Sequence, residues 1–262
     1  MPPETKTAET SQRHARINDD NSPVHIGIIM DGNGRWARKR GLVRTQGHLE
    51  GLKTAKKIVK AASDSGVKYL TLYAFSTENW TRAKEEVKFL MSLIKQYINA
   101  ELDFSIQHQL RTRFAGDLSG LPPDIQKDIS DSITRTSGFK GMQVILAINY
   151  GGRDEIVRAV KKIIARNDDK PINDLKENDI AAFLDNPDIP DPDLIIRSAG
   201  DYRVSNFLLW QSAYSELYIS DKMWPDWEKA DLFAAISEYK KRDRRFGGVK
   251  TEPPSEQDEN NY

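Results

Sequence analysis

The chain contains no cysteine, which excludes disulfides, thiolate metal sites and cysteine nucleophiles together. It has no excess of charge in either direction: Lys plus Arg and Asp plus Glu number 39 each among 262 residues. A bulk nucleic-acid binder normally carries a basic excess, so that class is set aside, although balanced totals leave room for local arginine clusters aimed at phosphates. Long apolar runs are missing too, none approaching the roughly twenty residues that cross a bilayer. Met1 to Asn21 is polar and has no apolar core of a secretory signal. The expectation is a soluble, cytoplasmic protein whose membrane contact is at most peripheral, through a greasy ligand. Repeats, low-complexity blocks and internal linkers are also absent.

What is present reads as a single α/β domain. Residues 1–22 and 250–262 are polar and are expected to be disordered, leaving 23–249 as the folded unit. Within it the short apolar runs Val24–Met30, Val67–Phe75, Gln143–Tyr150 and Asp193–Arg197 predict buried strands, with Arg111–Ala115 and Glu216–Ser220 as weaker candidates. Helical spacing places Val87, Leu90, Met91, Ile94, Tyr97, Ile98 and Leu102 on one face of a helix over Lys84–Gln107. The same spacing predicts helices over Arg153–Arg166, with Ile156, Val157, Val160, Ile163 and Ile164 as its apolar face, and over Glu228–Arg244, stopped by Gly247 and Gly248. Near-continuous apolar strands alternating with helices predict a mostly parallel central sheet of about six strands with helices on both faces. In such folds ligands sit at the carboxyl ends of the strands.

Three of those strand ends carry polar motifs. The first strand runs into Asp31-Gly32-Asn33-Gly34-Arg35-Trp36. Alternate glycines let the backbone turn tightly and approach a ligand, and Arg35 offers a forked donor to phosphate oxygens. Asp31 is placed to hold Mg²⁺, which binds through a carboxylate or two plus substrate phosphates. The plainer alternative is a turn in which Asp31 only caps a helix. Arg44 and His48 follow at spacings that can return to the same pocket, though a lone histidine is more often structural. The second strand ends in Ser76-Thr77-Glu78-Asn79-Trp80-Thr81-Arg82, where helix capping accounts for Thr81 but not for a tryptophan followed closely by an arginine. The DLIIR strand opens into Arg197, Arg203 and Ser205, a second set of phosphate donors unless these arginines merely pair with Asp191, Asp193 and Asp201. Glu216 is the candidate second carboxylate for the metal. From spacing alone these residues imply an Mg²⁺-dependent enzyme or binder of diphosphates.

The blocks HIGIIMDGNGRWA, RTQGH, TLYAFSTENWTR, NYGGR, LIIRSAGDYRVSNFLLWQ, SELY and RRFGG occur in the order found in cis-prenyltransferases. The chain from about His25 to Gly248 resembles that family, and within it the bacterial undecaprenyl diphosphate synthases. The resemblance implies condensation of isopentenyl diphosphate with an allylic diphosphate, farnesyl diphosphate above all, to a long polyprenyl diphosphate for cell-wall synthesis. It gives Asp31 the essential role of holding Mg²⁺ and the allylic diphosphate. Gly32, Asn33, Gly34 and Arg35 would cradle that diphosphate, with Arg44 and His48 nearby and Trp36 touching substrate. Ser76, Thr77, Glu78, Asn79, Trp80 and Arg82 match the second substrate motif, with Asn79 in the place of the proton acceptor. A carboxamide is a very weak base, so physical chemistry instead gives Asn79 an orienting role or a place in a proton relay to the released diphosphate. Arg197, Arg203 and Ser205 match the isopentenyl diphosphate site and Glu216 the second carboxylate. Arg245 and Gly247 match a motif that approaches a partner's active site, so a homodimer is implied.

The chain departs from the pattern at Ala83, Ser198, Ala199 and Asp201, which roughly retain size or charge. A non-catalytic partner subunit of the same family would lack Asp31, the glycine loop or Asn79, and all are present.

Overall fold

The computed structural model describes residues 21–166 and 172–243. Almost all of both expected tails, and with them Arg244, Arg245, Gly247 and Gly248, lie outside the described residues. Six strands form one sheet: β1 (His25–Ile29), β2 (Tyr69–Ser76), β3 (Arg111–Ala115), β4 (Gln143–Tyr150), β5 (Leu194–Arg197) and β6 (Glu216–Ile219). The order across the sheet is β3-β4-β2-β1-β5-β6 and every neighbouring pair is parallel. Through most of their length the strands alternate between faces, until a bulge in β2 between Tyr73 and Phe75 brings Phe75 to the side of Leu70 and Leu72. Ile26, Ile28, Leu70, Leu72, Leu194 and Ile196 enter one apolar cluster, whereas Ile29, Ile145, Ala147 and Ile195 enter a second one. Each buried isoleucine or leucine among them contributes about 2 kcal/mol of transfer free energy.

The larger face is covered by α2 (Arg44–Asp64), α3 (Lys84–Gln107), α4 (Pro123–Thr136) and α7 (Lys229–Lys240), which supply Ile58, Ile94, Ile125 and Leu232 to the first cluster. The helix predicted over Lys84–Gln107 has those bounds. It begins after the extended Ala83, and Glu85 and Glu86 in its first turn complement the helix dipole. The short α1 (Asn33–Lys39) precedes α2, while α5 (Gly152–Ala165) and α6 (Glu177–Ala181) belong to the other side. Connections from β1 to β2 and from β4 to β5 travel in opposite directions across the sheet, so right-handed crossovers put their helices on opposite faces.

The apolar face expected for α5 is buried only in part, at Ile163 and partly at Ile156. Val157, Val160 and Ile164 are exposed, while Glu155, Ala159 and Ile163 are buried. A polar anchor decides the roll of this helix. Glu155 accepts hydrogen bonds from the Tyr150 hydroxyl at 2.6 Å, Gln211 Nε2 at 3.0 Å and the Asp185 amide at 3.1 Å. Rolling the helix to bury Val157 and Val160 would strip these buried donors of their acceptor, at about 1–3 kcal/mol for each one left unsatisfied, which offsets a gain of about 2 kcal/mol per valine. Among the described residues no helix is long and apolar enough to cross a membrane.

Candidate active site

Because the chain moves one way from β1 to β2 and the other way from β4 to β5, the boundary between β1 and β5 is the topological switch point of the sheet. A crevice opens there at the carboxyl ends of the strands. Asp31 follows β1 and Arg197 ends β5. Separated by 166 positions in sequence, they form an ion pair at 2.7 Å between Arg197 Nη2 and Asp31 Oδ2. The other oxygen of Asp31 accepts from the Gly32 amide at 2.6 Å. Gly32 has φ +97°, a left-handed conformation that an L side chain rarely adopts, and this reverses the chain into α1.

The crevice is a cavity of about 290 Å³ with two chemically distinct ends. Its polar part is lined by Asp31, Gly32, Asn33, Gly34, Arg44, His48, Ser76, Asn79, Arg82, Arg197 and Ser205. Its apolar part runs between α2, α3 and the sheet, past Leu52, Ala55, Leu90, Leu93, Ile94 and Leu146. Of the stripe read on α3, Leu90, Ile94 and Tyr97 line the cavity, while Met91, Ile98 and Leu102 are buried without lining it. Leu93 joins the lining from outside the predicted stripe.

Three buried polar atoms at the polar end have no hydrogen-bond partner: Asn33 Oδ1, His48 Nε2 and Arg197 Nε. Orphaned groups of this kind are costly unless a ligand satisfies them. His48 has its pKa lowered to about 4, first by burial and then by the charge of Arg82, against the opposing pull of Glu86. It is therefore a neutral imidazole at physiological pH, a hydrogen-bonding group rather than a cation. Asn79 Oδ1 accepts from the Ser76 amide at 3.1 Å, reciprocating a cap that holds both side chains at the end of β2.

Carboxylates that the sequence reading did not assign to the site organise its arginines. Glu86 on α3 accepts from Arg82 at 2.9 Å and Arg44 at 3.2 Å, and lies 4.0 Å from His48. Asp201 accepts from Arg35 at 2.7 Å and Arg203 at 2.9 Å, and its carboxylate stands 3.8 Å from Arg197. Against the upward push of partial desolvation, the Arg35 hydrogen bond and charge hold Asp201 below the usual carboxylate range. Arg35, Arg44, Arg82, Arg197 and Arg203 against Asp31, Glu86 and Asp201 leave the mouth cationic, which favours anions.

Other predicted residues stand off the cavity. Trp36 donates its indole N–H to Asp226 at 2.6 Å, and Arg40 covers its ring at 4.2 Å. Trp80 donates to Asn149 at 2.7 Å and packs edge-on against Phe75. Glu78 accepts from Asn206 at 2.8 Å, and Thr77 lies against Gly151. Arg203 reaches outward at the rim, with 60% of its side chain exposed.

Glu216, the expected second carboxylate for the metal, lies away from Asp31 within this chain. It opens β6 in register with Leu194, so it sits at the amino edge of the sheet, and it pairs with Arg242 at 2.8 Å. Asp31 lies at the opposite, carboxyl edge. Within this chain the carboxylate nearest Asp31 in function is Asp201, which shares Arg35 and Arg197 with it. No group of three or more histidine or carboxylate side chains converges among the described residues. One or two carboxylates beside cationic phosphate donors suit a divalent cation that is bound jointly with a diphosphate.

Comparison with known proteins identifies the family of the chain. Residues 29–247 match the family described as "Putative undecaprenyl diphosphate synthase". An isoprenyl transferase of Treponema denticola is 54% identical over 225 residues, covering 86% of this chain and 97% of its own. A ditrans,polycis-undecaprenyl-diphosphate synthase of Micrococcus luteus, (2E,6E)-farnesyl-diphosphate specific, is 43% identical over 90% of this chain and 96% of its own. Among solved structures, lavandulyl diphosphate synthase from Lavandula x intermedia in complex with dimethylallyl diphosphate superposes with a TM-score of 0.84. It is 38% identical, covering 87% of this chain and all of that one.

Proposed function

The chain belongs to the undecaprenyl diphosphate synthase family of cis-prenyltransferases, and from that premise we propose that it extends farnesyl diphosphate with isopentenyl diphosphate, in the presence of Mg²⁺, to undecaprenyl diphosphate. The observation that carries this reading is the two-ended cavity. Arginines and orphaned hydrogen-bonding groups surround its mouth, and an aliphatic trough continues between α2, α3 and the sheet. An allylic diphosphate has the same division into a dianionic or trianionic head and a hydrocarbon tail.

Asn33, Gly34, Arg35, Arg44 and His48 surround the position for the allylic diphosphate. Arg197, Arg203 and Ser205 surround the isopentenyl diphosphate, with Ser205 Oγ accepting from Arg197 Nη1 at 2.8 Å. Asp31 stands between the two groups and would be the carboxylate that holds Mg²⁺, with Asp201 beside it. When bound, the ion neutralises charge on the diphosphate oxygens and so stabilises the leaving group.

In the reaction the C1–O bond of the allylic substrate breaks and its electron pair departs with the diphosphate. The π electrons of isopentenyl diphosphate form the new C–C bond to that carbon, and a proton leaves C2 to give the cis double bond. The arginines hold the diphosphates in mutual orientation, which accounts for much of the rate, and stabilise the charge that develops on the leaving oxygen. Asn79 is fixed by its cap to Ser76 and orients the isopentenyl group. The proton passes to the released diphosphate, a far stronger base than a carboxamide.

Incorporation of labelled isopentenyl diphosphate, with farnesyl diphosphate and Mg²⁺, tests this reading. Wild type gives long cis products, sized after removal of the diphosphate. Asp31→Ala lowers incorporation at least a hundredfold, in the range seen when a principal charge-stabilising group is lost, and chelation of Mg²⁺ abolishes it without lowering the melting temperature. A folded wild-type chain that incorporates nothing sinks the proposal.

A further inference from the structure

The hairpin of α1 and α2 carries more positive charge than the condensation uses. Between Asn33 and Leu49 lie Arg35, Arg38, Lys39, Arg40 and Arg44 and no acidic residue, although the whole chain is balanced in charge. Arg35, Arg40 and Arg44 have carboxylate partners. Arg38 and Lys39 are exposed and have none among the described residues.

The turn between the helices presents aliphatic side chains outward. Leu42 is 37% exposed, Val43 65%, and Leu49 on α2 40%. This presentation is built into the backbone. The Arg40 and Leu42 amides both donate to the Ala37 carbonyl at 2.9 Å, and the Gly41 amide donates to Arg38 at 3.1 Å. The turn adjoins the cavity, because Arg44, the residue after Val43, is one of the arginines at its polar end.

We propose that the α1–α2 turn, with Leu42 and Val43 at its tip and Arg38, Lys39 and Arg40 around them, docks on the surface of an anionic phospholipid bilayer. Aliphatic tips flanked by cations suit the boundary between headgroups and acyl chains, where each basic residue near an anionic surface adds about 1 kcal/mol. A protein partner would need a broader apolar area than two or three side chains supply. The occupant also matches the product. A long polyprenyl chain leaving the cavity has to enter a bilayer, and a mouth held against one shortens that transfer. This last argument rests on the proposed reaction, whereas the surface chemistry does not.

The test is flotation of the full chain, without substrates, with vesicles of phosphatidylcholine containing phosphatidylglycerol and with vesicles of phosphatidylcholine alone. Wild type binds the anionic vesicles, and salt reverses the binding. Arg38→Gln with Lys39→Gln weakens the partition about thirtyfold, from about 1 kcal/mol for each charge, and Leu42→Ser with Val43→Ser weakens it about tenfold or more. All four side chains are exposed, so unchanged melting temperatures confirm that the variants fold. Equal binding to both vesicle types, binding to neither, or variants that float like wild type would each overturn the proposal. An inactive wild-type chain that still binds anionic vesicles would instead sink the proposed reaction and leave this surface standing.

Discussion

Glu86 joins two arginines that arrive from different elements, Arg44 at the start of α2 and Arg82 ahead of α3. A single carboxylate thereby sets the spacing of two guanidinium groups that line the cavity and the field at His48. Glu86→Gln keeps the shape and removes the charge, so both guanidinium groups lose their charged anchor. The side chains are partly exposed, which reduces the effect to about 1–2 kcal/mol, a five- to thirtyfold loss of kcat/KM in steady-state incorporation. A variant with wild-type kinetics would show that Glu86 only caps its helix. Nothing local in the sequence marks Glu86 as part of the site, since a glutamate in a first helical turn is explained by the dipole alone. Asp31, Asn33, Arg44, His48, Asn79, Arg82, Arg197 and Ser205 were legible because polar residues crowd the ends of apolar strands or follow them closely. Trp36 and Trp80 carried the same signal, yet their indole N–H groups bind Asp226 and Asn149.

At the scale of elements, α2 and α4 are the long helices that periodicity did not reveal, and α2 is the one that bears on the site. Its 21 residues bury Gly47, Gly51, Thr54, Ala55, Ile58, Val59, Ala61 and Ala62, mostly small side chains that make a poor apolar stripe. Smallness is the functional property here. A Cβ at Gly47 would stand 2.0 Å from the Asn33 carbonyl oxygen, and one at Gly51 would stand 2.2 Å from Asn33 Oδ1. The helix thus lies directly against the loop that follows Asp31. Gly47→Ala gains about 1 kcal/mol of helix propensity but forces backbone away from backbone. A displacement near 1 Å at such a loop costs about a hundredfold in rate, to be read as kcat/KM. Gly138→Ala, with open space around it, is the control and changes neither rate nor melting temperature. The rolled α5 shows the opposite failure, a strong apolar stripe overruled by the partners of one buried carboxylate.

At the scale of the molecule, buried titratable groups tie stability to pH. His25 and His48 have pKa values lowered to about 4, chiefly by burial. Unfolded, they titrate near their ordinary value of about 6.5. The unfolded chain therefore binds more protons between those limits, and the stability these histidines allow above pH 6.5 is lost as pH falls toward 4. Glu101 acts in the other direction. Burial between α2 and α3 raises its pKa to about 7 although Lys56 lies 3.9 Å away. The folded chain then takes up a proton that the unfolded chain does not, and this stabilises it as pH falls from 7 toward the ordinary carboxylate range. Glu101→Gln removes that offset. Its acid-induced loss of stability, from urea unfolding between pH 7 and 4.5, is steeper than that of wild type by up to about 1.4 kcal/mol per pH unit. Equal slopes would show that Glu101 is ionised in the folded protein.

By itself the sequence determined what depends on neighbours along the chain. Apolar runs set the six strands, helical spacing set the limits of α3, and a polar motif that follows a parallel strand necessarily lies at the carboxyl edge of the sheet. The same logic places Glu216 at the other edge once β6 is known to be parallel, because it precedes its strand rather than following it. Tertiary structure alone decided the order of the strands. By setting β1 beside β5 it brought Asp31 to Arg197 across 166 positions. It alone also decided the roll of α5 and the approach of α2 to the Asn33 loop. These are contacts between distant segments, fixed by the partners of a few buried polar groups and by the space that small residues leave, and neither quantity is written in the local pattern of the chain.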